Sequence, residues 1–502
     1  MTVTGANNVD IAGTLTVVSN RTLTNNSTGT FSLNDIDLSS NSARLFSITS
    51  SADTTVSGVI SNAGRIRKLG ASTLTLSSAN TYTGDTILSG GTVVTGNNAA
   101  FGTSRVDLNS FTLDGGAAGR VMANETRLNG NFRFGGTADI ELSGNMTLRN
   151  NRNLYVDGTD NYEISGNVFL GDTATDRTLT VRGAGDLTIS GDIQNGTLAS
   201  AGRLTKSDAG TLTLSGTNTY DGVTDINTGT VVITGDNSGL SGQFRLDNGD
   251  VHVGAANAFG IGELRLANGD IWAVGAARTV TNNITLSGNG TIVEGSEDID
   301  FTGAMTLSGG NRVITVNNTG ATTFSGDIAL TGGVTVDQTS YTVSGIGNAY
   351  AGAIQNLAGS NRLTGDMTLA GNTTFHSDAG TLNIGTDVPG SVYELTGDQI
   401  TLGTNDLTFD GDGNSVLKAD LTGTGNLIKN GDGQFIMANG TSSWTGTTQI
   451  NDGEMVLDLL QRRPRRRPSG RLRYPWTRDH RRRHRRRLHR YAYSGHRRFR
   501  RR

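Results

Sequence analysis

The sequence predicts an all-β fold, a parallel β-solenoid over residues 1–458, followed by an arginine-rich tail at 459–502. Three observations carry that expectation. One twelve-residue segment occurs almost unchanged at two places, as TLTLSSANTYTG at 73–84 and TLTLSGTNTYDG at 211–222. Glycine reaches 71 of 502 residues, and Thr, Asn, Ser and Asp recur between short Val, Ile and Leu runs. Such a composition suits many brief strands joined by turns and leaves little room for helices. Finally, the composition changes abruptly after Asp458, where arginine and proline suddenly become abundant.

The length exceeds one ordinary globular core, so several domains or a repeat array is expected. A hydrophobic content of 34% with few aromatics is thin for a compact globule but enough for the narrow lumen of a solenoid. There is no cysteine, which excludes disulfides, thiolate nucleophiles and cysteine metal sites. The net charge of -3 conceals two opposite parts: 20 Arg and one Asp make residues 459–502 +19, leaving -22 for residues 1–458. An acidic body with four lysines repels nucleic acid and anionic membranes. The opening MTVTGANNVDIAGTLTVV lacks the basic and apolar regions of a secretory signal, and no later run is apolar for the roughly 18 residues a membrane helix needs.

Residues 64–94 (GRIRKLGASTLTLSSANTYTGDTILSGGTVV) align without a gap on 202–232 (GRLTKSDAGTLTLSGTNTYDGVTDINTGTVV). A looser copy occupies 425–457, with Phe435 and Met437 in place of the paired leucines and Trp444 in place of Tyr82 and Tyr220, one residue being inserted before that Trp. The alternation in TLTL places Leu74 and Leu76, or Leu212 and Leu214, on one face and the threonines on the other. Abbreviated relatives lie between the copies: GNMTLRN at 144, GAMTLSG at 303 and GDMTLAG at 365. A strand this short cannot bury its apolar face alone, and no helical segment is available to cover a sheet. Stacking each coil on the last pairs every backbone group and piles the leucines into one lumen. With roughly 20 to 25 residues per coil, the body would hold on the order of 20 coils. A β-propeller requires more even spacing, and an array of antiparallel sandwiches requires fewer TLTL-like units than are present.

The pattern G-x-L-x-K-x-x-x-G-T-L-T-L-S-G-x-N-T-Y-x-G, followed by I-N-x-G-T-V-V at 202–232, resembles the autotransporter-associated β-strand repeat of Gram-negative type V secretion passengers. The NAFG of 257–260 and NNITLSGNG of 282–290 are similar to the linking segments of such passengers. The resemblance implies a right-handed parallel β-helix displayed at the cell surface, on the outer membrane or in secreted form. It also implies an export signal and a barrel translocator, neither of which is visible in this chain. The body thus reads as a passenger fragment.

The tail admits two readings. As a disordered basic arm it would bind nucleic acid or anionic lipid, with Tyr474, Trp476, Tyr491 and Tyr493 able to stack on bases. As the product of a slipped reading frame it would be what glycine and alanine codons of a GC-rich repeat become one frame over. The absence of lysine favours the slip, and nucleic-acid binding is not expected.

No catalytic constellation emerges. The body has two histidines, His252 and His376, neither in a nucleophile setting such as G-x-S-x-G. DGDGNS at 410–415 starts like a calcium loop but has Ser415 where glycine is needed and Leu421 where the chelating glutamate belongs. Glu294, Glu297, Asp298 and Asp300 form the one weak metal candidate, a cluster more typical of a solvated turn. The positions repeated between copies, Leu74, Leu76, Tyr82, Gly84, Leu212, Leu214, Tyr220, Gly222, Phe435, Met437, Trp444 and Gly446, are assigned to building the coil. The expected function is a non-catalytic stalk or adhesin without cofactor, contacting a host or neighbouring cell. A polysaccharide lyase of the β-helix kind is the alternative.

Overall fold

The computed structural model describes residues 1–196, 201–308, 314–331, 335–345, 352–386, 397–438, 442–458 and 497–499. The chain divides into two compact units, Met1–Thr342 and Val343–Arg502. The described part of each is an all-β parallel solenoid.

In the first unit one face is a ladder of ten parallel strands, rising from Thr2–Val3 through Arg65–Leu69, Thr86–Ser89, Val106–Asn109 and Thr126–Leu128 to Ile193–Gln194. A second ladder carries Thr73–Leu76, Thr92–Thr95, Phe111–Asp114, Phe132–Gly135 and Arg152–Val156. Rungs are uneven in length: Leu74 registers with Val93, but Leu154 with Val181. In the second unit Leu407–Asp410, Leu427–Lys429 and Thr448–Ile450 stack in parallel, as do Asn414–Leu417, Gln434–Met437 and Glu454–Leu457. Beside this last strand Arg497–Phe499 runs antiparallel, with Phe499 opposite Met455. The rest of the tail, to which the sequence reading assigned disorder, lies outside the described residues.

Period-2 alternation decides what enters the lumen. In Thr73–Leu76 and Thr211–Leu214 the leucines are buried while the threonines face outward. Parallel register then sets like upon like. One column reads Ile226, Leu246, Leu266, Leu286, Leu307 and Leu330, and another Ile384, Leu417, Met437 and Leu457. Phe409 stacks on Phe435 with ring centroids 4.3 Å apart. Burying a leucine-sized side chain contributes about 1.5–3 kcal/mol, so repetition of one modest gain holds the coil against the entropy of ordering it.

Corners need acceptors for the backbone N–H groups that leave a ladder. Asp and Asn supply them from the rung below: Asp53 Oδ1 accepts from Thr73 N at 2.8 Å, Asp186 Oδ1 from Thr211 N at 2.8 Å, and Asn414 Oδ1 from Gln434 N at 3.1 Å. The abundance of Asn and Asp is thus a consequence of stacking turns on turns.

Gly84, Gly222 and Gly446 occupy an equivalent tight corner in each full repeat. A Cβ there would lie 2.3, 2.2 and 1.8 Å from the carbonyl oxygens of Gly64, Gly202 and Gly425 on the preceding rung. Backbone passes over backbone, so only glycine fits. Gly222→Ala is expected to cost about 1–3 kcal/mol, read as a lower urea midpoint and faster amide exchange across residues 202–226. The outward Thr213→Ala should stay within about 0.5 kcal/mol.

Candidate functional site

The feature common to the three full repeats is a buried lysine in the apolar column. Of the four lysines in residues 1–458, Lys68, Lys206 and Lys429 are 0%, 1% and 3% exposed. Each follows an inward aliphatic residue by two positions, Ile66, Leu204 or Leu427, so strand parity alone turns it inward. Lys68 stands between Ile48 and Leu88 in its column. Lys206 stands between Val181 and Ile226, and Lys429 between Phe409 and Ile450.

Each ammonium is received by the turn ending its own strand. Lys68 Nζ donates to the carbonyls of Leu69 at 3.3 Å and Gly70 at 2.8 Å, and to Gly90 of the next rung at 3.2 Å. Lys206 Nζ donates to Ser207 O at 3.0 Å and Asp208 O at 2.7 Å. Lys429 Nζ donates to Asn430 O and, at 2.7 Å, to Gly431 O. The second acceptor is left-handed in every copy, at φ 86° for Gly70, 66° for Asp208 and 69° for Gly431. That conformation turns the carbonyl back toward the lysine, which satisfies a charge that would otherwise be costly to bury. Burial lowers the lysine pKa to about 8 for Lys68, against the opposing Asp53, and to about 8 for Lys206, against Asp208 and Asp186. Lys429 is lowered for the same reason, opposed first by Asp410.

The tyrosines complete the corner. Tyr82 and Tyr220 are fully buried, and each phenol oxygen lies 2.5 Å from the hydroxyl of the threonine four residues on, Thr86 or Thr224. Burial pushes both phenols up, against the hydroxyl contacts that lower them. Trp444 differs: it is half-buried and its Nε1 donates to Gly425 O at 3.0 Å.

Buried asparagines bridge rungs beside these rings. Asn80 Oδ1 accepts from Ile60 N at 2.8 Å while its amide donates to Ala100 O at 2.6 Å. Asn218 joins Ile193 N to Asn237, which passes the chain on to Ala258 O at 2.7 Å. Phe435 and Met437 face the lumen in the third repeat as Leu74, Leu76, Leu212 and Leu214 do in the others.

The remaining sequence candidates stand apart from these corners. Asp298 Oδ1 accepts from Ala321 N at 2.7 Å and Asp300 Oδ1 from Ser325 Oγ at 2.8 Å, while Glu294 and Glu297 are partly exposed. Among the described residues no three His, Cys, Asp or Glu side chains converge as a metal site. His252 packs on Trp272 of the next rung, ring centroids 4.0 Å apart, and burial lowers its pKa against the opposing Asp250. His376 Nε2 lies 2.9 Å from Asp378 Oδ1, and its Nδ1 3.9 Å from Asp410 Oδ2. The buried lysines were missed as a class in the sequence, although their inward parity was readable.

Residues 66–94, 204–243 and 427–457 match the passenger-associated-transport-repeat family. The chain carries three such repeats and is an autotransporter passenger-like region. Over 191 residues, 36% of its length, it is 30% identical to the adhesin BmaC autotransporter of Brucella suis biovar 1 (strain 1330), a distant homologue. The matched stretch is 6% of that relative's length. No solved structure matches the chain.

The lysines make stability depend on pH. For Lys68 and Lys206 the folded pKa of about 8 lies below the ordinary 10.5, so the unfolded chain binds more protons between those values. Each lysine's contribution is therefore complete above 10.5 and is lost as pH falls through 8. Lys206→Met is expected to be less stable than the parent because two turn carbonyls lose their donor. The gap should widen between pH 8 and about 9.5, below the tyrosine range, in urea unfolding at a series of pH values.

Proposed function

We propose that the chain is a non-catalytic adhesive passenger region, displayed at the bacterial surface or released from it, that engages a ligand on a host or neighbouring cell. The observation that supports this most directly is the pairing of three passenger-type repeats with a stretch homologous to a protein named as an adhesin. The architecture suits the role. Inward positions are committed to the column of apolar side chains, so substitution there disturbs many rungs at once. Outward positions are free of that constraint and present Thr, Asn, Asp and Arg in vertical files. Thr73, Thr92, Thr112 and Arg133 succeed one another across four rungs. A solenoid can therefore vary a recognition surface without altering its core.

The full-length chain coupled to beads is expected to retain cultured epithelial cells or bacteria above the level of albumin-coated beads. It should release no unsaturated product from uronate polysaccharides. Retention no better than albumin would overturn the adhesive reading, and sustained product formation would put a lyase in its place.

A further inference from the structure

The outward face of the first unit has a recess of about 400 Å³ at the corner between the ladders that carry Val106–Asn109 and Phe111–Asp114, lined by Thr92, Ser110, Thr112, Asn131, Arg133 and Tyr155 among others. It lies in the size range of small-ligand sites, about 300–1,000 Å³. Its origin is a mismatch in corner length between stacked rungs. Leu108 registers with Leu128 and Phe111 with Phe132, so Asn109 and Ser110 lie beneath three residues, Asn129, Gly130 and Asn131. On the next rung Leu148 and Leu154 are the registered partners, and the corner is longer again. With the flanking strands locked in register, the added residues bulge outward and overhang Ser110.

The floor is held in an unusual conformation. Ser110 is left-handed at φ 54°, uncommon for a residue with a side chain and a feature that clusters at ligand sites. Gly130 closes over it, since a Cβ there would lie 2.6 Å from Ser110 N and 2.7 Å from its Oγ. The opposite wall is an aromatic plate. Tyr155 points outward from Arg152–Val156, with the Arg133 guanidinium 4.6 Å from its ring centroid and Asn153 Nδ2 donating to its phenol oxygen at 3.2 Å. Arg133 is ion-paired with Asp157, so the guanidinium over the ring has its own counter-charge.

We propose that this recess binds a neutral saccharide. Three hydroxyls, from Thr92, Ser110 and Thr112, can donate to and accept from sugar hydroxyls, and Asn131 can donate through Nδ2, its Oδ1 already accepting from Asn153 N at 3.1 Å. The Tyr155 ring, with the Arg133 guanidinium over one face, offers its other face, its edge and a polar tip to the C–H face of a pyranose. The acidic charge of residues 1–458 disfavours uronates and sialylated sugars. Such a site gives the adhesive role proposed above its ligand class and takes its biological setting from that role.

The test is ligand-observed NMR on the full-length chain with glucose, galactose and N-acetylglucosamine disaccharides and a galacturonate disaccharide. At least one neutral disaccharide is expected to show saturation transfer, and the galacturonate none. Tyr155→Ala should weaken that binding by about tenfold, in keeping with the loss of one aromatic contact. Thr112→Val should weaken it with a change of one hydroxyl to a methyl, and circular dichroism should remain parental because both side chains face outward. No transfer from any neutral sugar, preference for the galacturonate, or neutral binding that Tyr155→Ala and Thr112→Val leave intact would each overturn the assignment. Cell retention by the parent chain alongside absent sugar binding would sink this site and spare the adhesive reading. Sugar binding without cell retention would do the reverse.

Discussion

Everything in this molecule depends on parallel register between successive rungs. Once a strand pairs with the strand a rung below, each inward side chain stands on its counterpart and each outward one joins a file. The backbone hydrogen bonds fix spacing but carry no preference for which residue stands where. Preference comes from the columns, where leucine over leucine excludes water and a one-residue slip would turn every leucine to solvent. The short strands are stable because of what lies above and below them.

Corners are where this regularity is negotiated. A two-sided ladder leaves donors at each turn, and Asp or Asn from the preceding rung accepts them. Glycine appears where backbone crosses backbone, as at Gly222 over Gly202. The first two full repeats add tyrosine, asparagine and lysine to that scheme, all buried and all bonded, and the third keeps the lysine. A repeat of this kind is a strengthened corner set into a series of simpler ones. The matched repeats are well separated in the chain while the coils between them need only keep the parity of their apolar residues.

Much of this was legible in the amino-acid sequence. TLTL and the turn residues beside it disclose strand parity, and the gapless alignment of 64–94 on 202–232 discloses a stacked unit. The buried lysines were readable in principle, since Lys68 follows Ile66 with the same parity as Leu76 follows Leu74. They were passed over because a lysine in an acidic chain suggests surface charge, and burial becomes intelligible only when the left-handed turn carbonyls are seen. The half-buried place of Trp444 was hidden as well, because a motif gives the residue type at a position and not the depth at which it sits. The recess over Ser110 was beyond reach altogether. It arises from comparing corner lengths on neighbouring rungs, and Thr112 meets Tyr155 only through two intervening steps of register.

The lysine in the column has a further consequence for how such a chain finds its pairing. A file of leucines is nearly degenerate, because any rung could rest on any other with similar burial. An ammonium breaks that degeneracy: it can be buried only at a level where turn carbonyls stand within reach of its own strand end, as at Gly70, Asp208 and Gly431. Lys68, Lys206 and Lys429 thus work as phase markers along an otherwise monotonous thread. A chain growing coil by coil can rectify a misplaced turn at each marker before the error is copied into the coils that follow.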